Sequence, residues 1–286
     1  MDKLILGVDA GNHKAKVAGV FGVDAFRTNI CDWFVRDIEE TFGPDDMEFE
    51  INERKGYAGT IALYENEFGS GATYGETKAH EDTKIRILLA IHRYIEKYCP
   101  GTYTVCLVTG QPIKAHKPGE KSKIIDMLLG KHEFTVNNMK VKLYIEDVRV
   151  APEGSAAFWS NPTVGLVRII DVGSGTVNMA TIEDKHHIHQ GSGTMTVGME
   201  TVRNKTDHDA IARAIYQQAT KLKWHNHDLV QLCGGAANKL LPHFQKHFPN
   251  IDLLQPRLKR QFDLIALDPI YANAVGFYTL SRGAFQ

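Results

Sequence analysis

Neither sign of charge predominates in this chain of 286 residues: 33 Lys and Arg stand against 34 Asp and Glu, a net charge of −1. With so even a balance there is no global electrostatic case for direct nucleic-acid binding. Apolar runs are far too short to span a bilayer, and no membrane partner is expected. Cysteine is scarce. Cys31, Cys99, Cys106 and Cys233 lie far apart with no Cys-x-x-Cys, which excludes a zinc ribbon and a disulfide framework. The first residues lack the cationic, apolar pattern of a secretory leader, since Asp2 leads straight into Leu4–Val8. The expectation is a cytoplasmic protein, and 43% hydrophobic residues over this length suffice for two domains.

What the chain does have is a run–turn–run at Val164–Ile182, VGLVRIIDVGSGTVNMATI. An apolar strand delivers Asp171 to the turn Val172-Gly173-Ser174-Gly175, and Thr176 onward returns with β-type alternation. Glycines let backbone N–H groups close on an anion, and a carboxylate at the lip of such a cradle can hold a hydrated Mg²⁺. Most Asp-x-Gly turns are hairpins and nothing more. This one, however, has a second copy. Leu4–Ala18, LILGVDAGNHKAKVA, aligns on Asp9, with Gly11 against Gly173, Asn12 against Ser174 and Ala18 against Ala180. Two copies predict two similar lobes whose hairpins face each other across a cleft.

Taken in order, strands are expected at Leu4–Val8, Ala15–Phe21, Ala25–Ile30, Met47–Asn52, Gly56–Leu63 and Gly71–Tyr74. The three- and four-residue spacing of Ile85, Leu88, Leu89, His92 and Ile95 predicts a helix over Asp82–Tyr98, stopped by Pro100-Gly101. A strand at Tyr103–Val108 and a helix at Glu120–Leu129 follow. Asn137-Asn138 suits a type I′ turn between strands His132–Val136 and Met139–Val150. The pattern then predicts a short helix at Glu153–Trp159, a strand at His186–Gln190 and a mostly helical Val197–Leu222 with a break near Asn204–Asp207. Last come a strand Asp228–Leu232, a helix Asn238–Phe248, a strand Ile251–Leu254 and a helix Asp268–Ser281. The histidines at 186, 187, 189, 225, 227, 243 and 247 and the basic Arg257–Arg260 read as solvated.

Asp9-Ala10-Gly11-Asn12 with Lys16, Asp171 to Thr176, and Cys233-Gly234-Gly235-Ala236 fall in an order that resembles the actin-fold nucleotide-binding superfamily. Pro152-Glu153-Gly154 and Ala272-Asn273-Ala274-Val275-Gly276 resemble its two connecting segments, and the whole chain is similar to its plasmid-segregating ParM and AlfA group. The resemblance implies an α/β, two-lobed, duplicated ribonuclease-H-like fold: lobe I from residues 1–160 plus 268–286, lobe II from 161–267. It implies ATP or GTP with Mg²⁺ as ligands. Asp9 and Asp171 would hold the metal through water. Gly11, Asn12, Lys16, Gly173, Ser174, Gly175, Thr176, Gly234, Gly235 and Ala236 would bind nucleotide, and Glu153 would activate the attacking water. The partners implied are further copies of the chain and a DNA-bound adaptor of the ParR type. The 63 positions from Asp171 to Gly234 leave little room for the small subdomain (IIB) that most relatives insert there. A sugar- or acetate-type kinase and a non-polymerising nucleotide-binding regulator are the rival readings.

Overall fold

The two similar hairpins become the hearts of two sheets. A computed structural model describes residues 2–38, 41–65, 77–260 and 262–286; the strand expected at Gly71–Tyr74 lies outside the described residues. Chain order runs β1 (Asp2–Ala10), β2 (Lys14–Gly19), β3 (Gly22–Arg27), β4 (Ile30–Asp32), β5 (Met47–Ile51), β6 (Arg54–Ala58), α1 (Thr60–Glu65), α2 (Glu81–Tyr98) and β7 (Tyr103–Gln111). It continues with α3 (Pro118–Leu128), β8 (Gly130–Val136), β9 (Met139–Pro152), β10 (Leu166–Val172), β11 (Val177–Glu183), β12 (His186–His187), β13 (Gly193–Met195) and α4 (His208–Lys221). β14 (Val230–Cys233), α5 (Ala237–Phe244), β15 (Ile251–Leu253), β16 (Arg257–Lys259), β17 (Leu264–Ala266) and α6 (Ala272–Phe285) complete it.

Among the described residues the first sheet is ordered β3-β2-β1-β7-β9-β8-β5-β6-β4 and the second β12-β11-β10-β14-β15, with β13 on β11. Each sheet has the same kernel: an antiparallel hairpin whose first strand also pairs in parallel with a later one, β1 with β7 and β10 with β14. Strands buried on both faces read as continuous apolar runs, as Leu4–Val8 does; in Val167–Ile170 the run is interrupted by Arg168, which pairs with Asp228. The buried face of α2 (Ile85, Leu88, Leu89, Ile95) joins Leu6, Val8, Val105 and Leu107 in one core. A second core gathers Ile170, Val172, Ile211, Ile215, Leu232 and Leu240. α6 returns to the first sheet, where Ser281 Oγ donates to the Leu6 carbonyl at 2.7 Å. The β16–β17 hairpin, absent from the sequence reading, also packs there: Leu258 is buried with Ala18, Ala274 and Tyr278.

The Asn137-Asn138 turn has φ of 49° and 65°, both positive as a type I′ turn requires. Elsewhere the structure departs from expectation. Gly56–Leu63 is not one strand: Gly59 at φ 115° ends β6, and Asp46 Oδ1 accepts the Ile61 amide at 2.8 Å as α1 begins. Glu153–Trp159 is not an α-helix, because Gly154 at φ 72° turns the chain and only Ala157–Ser160 forms a 3-10 turn. His186–Gln190 pairs as strand only at His186–His187, after which His189–Gly191 is a 3-10 turn. α4 starts at His208. Residues 197–207 instead fold back on the Asp171 turn, with Met199 N–H donating to Gly173 O at 3.1 Å and Glu200 N–H to Ser174 O at 2.8 Å.

Candidate active site

β1 and β10 each carry an aspartate as their last residue but one, and the antiparallel register then fixes what stands opposite. Asp9 pairs with Lys16 and Asp171 with Asn178, the same seven-residue interval in both hairpins. The two hairpin ends open on one cavity of about 610 Å³, a volume usual for small-molecule sites. Asp9, Gly11, Asn12, Lys16, Glu153, Asp171, Gly173, Ser174, Gly175, Thr176, Gly234, Gly235 and Ala236 all line it. Thus every residue singled out from the sequence is brought to one place.

The turns are built to expose backbone. A Cβ on Gly11 would stand 2.6 Å from Lys14 O and 3.1 Å from Lys16 Nζ, and one on Gly234 (φ 94°) 2.3 Å from Val172 O. Among the described residues, no protein acceptor takes the amide N–H of Asn12, Ser174 or Gly175. Asn12 is oriented from below by Arg86 on α2, whose NH1 donates to Oδ1 at 2.6 Å. Free amides beside glycines form an anion cradle.

Charge is distributed unevenly between the two halves. Lys16 Nζ donates to Asp9 Oδ2 at 2.9 Å and Lys78 Nζ to Oδ1 at 3.4 Å. Burial pushes the Asp9 carboxyl up, but the Lys16 and Lys78 ammonium groups outweigh it and hold the group below the usual carboxylate range. Among the described residues no cation forms an ion pair with Asp171. Burial, reinforced by the Glu153 carboxylate, pushes its carboxyl up to about 6, although Asn273 Nδ2 donates to Oδ2 at 2.9 Å. Burial and the nearby Asp171 carboxylate likewise push the Cys233 thiol up. Two carboxyl groups in matching positions are therefore set apart by their surroundings.

Glu153 sits between them. Asn178 Nδ2 donates to Oε2 at 3.2 Å, and Lys78 forms an ion pair with Oε1. Its backbone N–H donates to Gln111 O at 2.8 Å, so β7 fixes where the β9 end emerges into the cavity. Among the described residues no group of three or more His, Cys, Asp or Glu is arranged to ligate a metal directly.

A model of the actin like proteins N terminal domain matches residues 7–155, more than half of the chain. The chain belongs to the actin-like proteins. Solved structures similar to this actin-like chain include an AlfA filament bound to AMPPNP, 17% identical with both chains covered completely and a TM-score of 0.76. The AlfA filament from B. subtilis plasmid pLS32 is 18% identical over 96% of this chain and 97% of its own, with a TM-score of 0.77. The apo ParM protein of pSK41 is 13% identical over 99% and 98%, with a TM-score of 0.73. At these identities the likeness shows the fold, which is actin-like with mixed α/β sheets. No curated protein matches the sequence.

Several residues of this actin-like cavity carry no sequence signal. Lys78 reaches it from the segment before α2, and Lys205, His208 and Lys239 from the loop before α4, α4 and α5 respectively. Asn178 could have been found, because it stands where the second hairpin matches Lys16 of the first. Asn273 bridges: its Oδ1 accepts the Gly154 N–H at 3.0 Å while its Nδ2 serves Asp171. Lys14 also lines the cavity, but Lys16 is the lysine that touches Asp9.

Proposed function

We propose that this actin-like chain is a nucleotide-dependent filament protein that moves low-copy plasmid DNA through a DNA-bound adaptor of the ParR type. Slow hydrolysis of ATP or GTP would control disassembly. The observation that carries the reading is the convergence of two equivalent Asp–Gly hairpins, with Glu153 between them, on one cavity. The likeness to filaments, one of them bound to AMPPNP, supports both the ligand class and self-association. No helix among the described residues is long and apolar enough to cross a membrane.

The residues present fit Mg²⁺–nucleotide. The unengaged amides of Asn12, Ser174 and Gly175 and the Lys16 ammonium suit phosphate oxygens. Asp9 and Asp171 suit the water ligands of a magnesium ion, which dehydrates reluctantly. When bound, the metal supplies positive charge against the phosphates. Gly234, Gly235 and Ala236 present no bulky side chain at the far end of the cavity, leaving room for sugar and base. Glu153 is the group that takes the proton of the attacking water. The division at residue 160 is kept as a lobe boundary, but the second boundary is moved from 268 to about residue 256, because the 257–266 hairpin packs with Ala18, Ala274 and Tyr278. Between Asp171 and Gly234 the chain holds only β11, β12, β13, α4, β14 and turns, which supports a second lobe without subdomain IIB.

A head-to-tail contact that does not close gives a filament, and nucleotide between the lobes biases it by favouring one lobe arrangement. Light scattering at 90° against protein concentration, with phosphate release followed in parallel, tests the reading. Scattering should appear only above a critical concentration and only with Mg²⁺–nucleotide, with release following it. Glu153→Ala should still assemble while releasing phosphate at least tenfold more slowly, within the range expected for a lost general base. Nucleotide binding without scattering at any concentration would sink the filament reading.

A further inference from the structure

Lys78 touches two of the four carboxylates that line the cavity at once. Its side chain is 12% exposed, its Nζ lies 3.4 Å from Asp9 Oδ1, and it forms an ion pair with Glu153 Oε1. The placement is enforced by one residue. The Gln111 side chain accepts the Lys78 N–H at 2.8 Å, while the Gln111 carbonyl accepts the Glu153 N–H at 2.8 Å. Gln111 Nε2 also donates to Thr77 Oγ1 at 3.0 Å, and Thr77 donates to Glu120 Oε2 on α3 at 2.5 Å. Gln111 is fully buried at the end of β7, so the ammonium and the carboxylate are held on a common rigid strand.

In this arrangement both oxygens of Glu153 are occupied, Oε1 by Lys78 and Oε2 by Asn178. A carboxylate whose lone pairs are committed to a buried cation is a poor acceptor for a proton from water. A terminal phosphate is a stronger anion than a carboxylate and would compete for the same ammonium. We infer that Lys78 is a positioning residue that exchanges Glu153 for the terminal phosphate of a nucleoside triphosphate. With a diphosphate or an empty cavity it neutralises Glu153, and with a triphosphate it leaves Oε1 to water. The inference rests on the nucleotide reading above and adds a triphosphate sensor to it.

Calorimetric titration of the full chain with Mg²⁺–AMPPNP and Mg²⁺–ADP, and with GMPPNP and GDP in parallel, separates the two. Lys78→Met should weaken triphosphate-analogue binding tenfold or more and diphosphate binding less than threefold, and Lys78→Arg should restore most of the loss. Glu153→Gln removes the competing charge and should tighten the triphosphate analogue severalfold with little effect on the diphosphate. Equal losses for both nucleotides in Lys78→Met would overturn the exchange. So would an unchanged triphosphate-to-diphosphate ratio in Glu153→Gln, a variant that keeps the side-chain shape should Lys78→Met fail to fold. Wild-type protein that binds no nucleotide would instead overturn the nucleotide reading itself.

Discussion

At the scale of single residues, the pair Asp9 and Asp171 shows how position alone leaves chemistry open. Asp171 is ionised in the unfolded chain above about pH 4 but in the fold only above about 6. The folded state therefore holds the proton more tightly. Its stabilising share is complete below pH 4 and is lost as pH rises through 6. Asp171→Asn, which mimics the protonated acid, should stabilise the nucleotide-free protein at pH 7.5 by on the order of 2 kcal/mol and by well under half of that at pH 4.5. Urea midpoints at the two pH values check this, and the variant should also lose Mg²⁺–nucleotide affinity, since function and stability oppose each other at such sites. Asp9 and Gly11 could be read from the sequence because the second hairpin repeats their spacing, whereas Lys16 follows only from the resemblance to the actin-fold superfamily, its counterpart in the second hairpin being Asn178. Lys78 could not. Its neighbours Thr77, Ala79 and His80 form no pattern, and it meets Glu153 only because Gln111 binds both.

Elements were readable where their side chains repeat with the period of the backbone, as in β1, β10 and α2. They were not where long-range contacts override local preference. Residues 197–207 look helical, yet the amides of Met199 and Glu200 are taken by the Asp171 turn, and Gly198 packs so closely that a Cβ would lie 2.4 Å from Ser174 O. β16 was read as a solvated basic patch because a three-residue strand with one buried apolar residue, Leu258, offers almost no alternation. α6 is held by the closest approach of all. A Cβ on Gly276 would stand 1.9 Å from Ala156 O, a backbone atom that cannot swing aside. Gly276→Ala should cost about 3 kcal/mol or more, read from urea unfolding. Gly283→Ala on the same helix meets nothing within 4 Å and should be neutral or gain up to about 1 kcal/mol from helix propensity.

For the whole molecule, the two sheets carry separate cores and the cavity lies between them, with Asp9 on one and Asp171 on the other. A ligand bound there ties the halves together. Mg²⁺–nucleotide at a hundred times its Kd should add about 2.7 kcal/mol to stability, a rise of about 5 °C in Tm for a chain of this size. Scanning calorimetry measures it, and protein with Asp9→Asn and Asp171→Asn together should show little of the rise. The duplicated order of strands made this two-part plan visible in the sequence. The cavity's width, and which side chains beyond the hairpins reach it, depend on how α2, α4 and α6 pack, which no local pattern encodes.

The docking of α6 on β1 has a consequence for how the protein is made. Gly7 lies against Tyr278 and Ala274, and Ser281 closes on Leu6, so β1 is covered by a helix synthesised some 275 residues after it. At ordinary rates of synthesis that delay is on the order of tens of seconds. Through that time one face of β1 and the carbonyl of Leu6 stand uncovered, in a nascent chain whose central sheet cannot mature until α6 has been synthesised. The folding of the first lobe is thus timed by the ribosome's arrival at residue 272 and beyond.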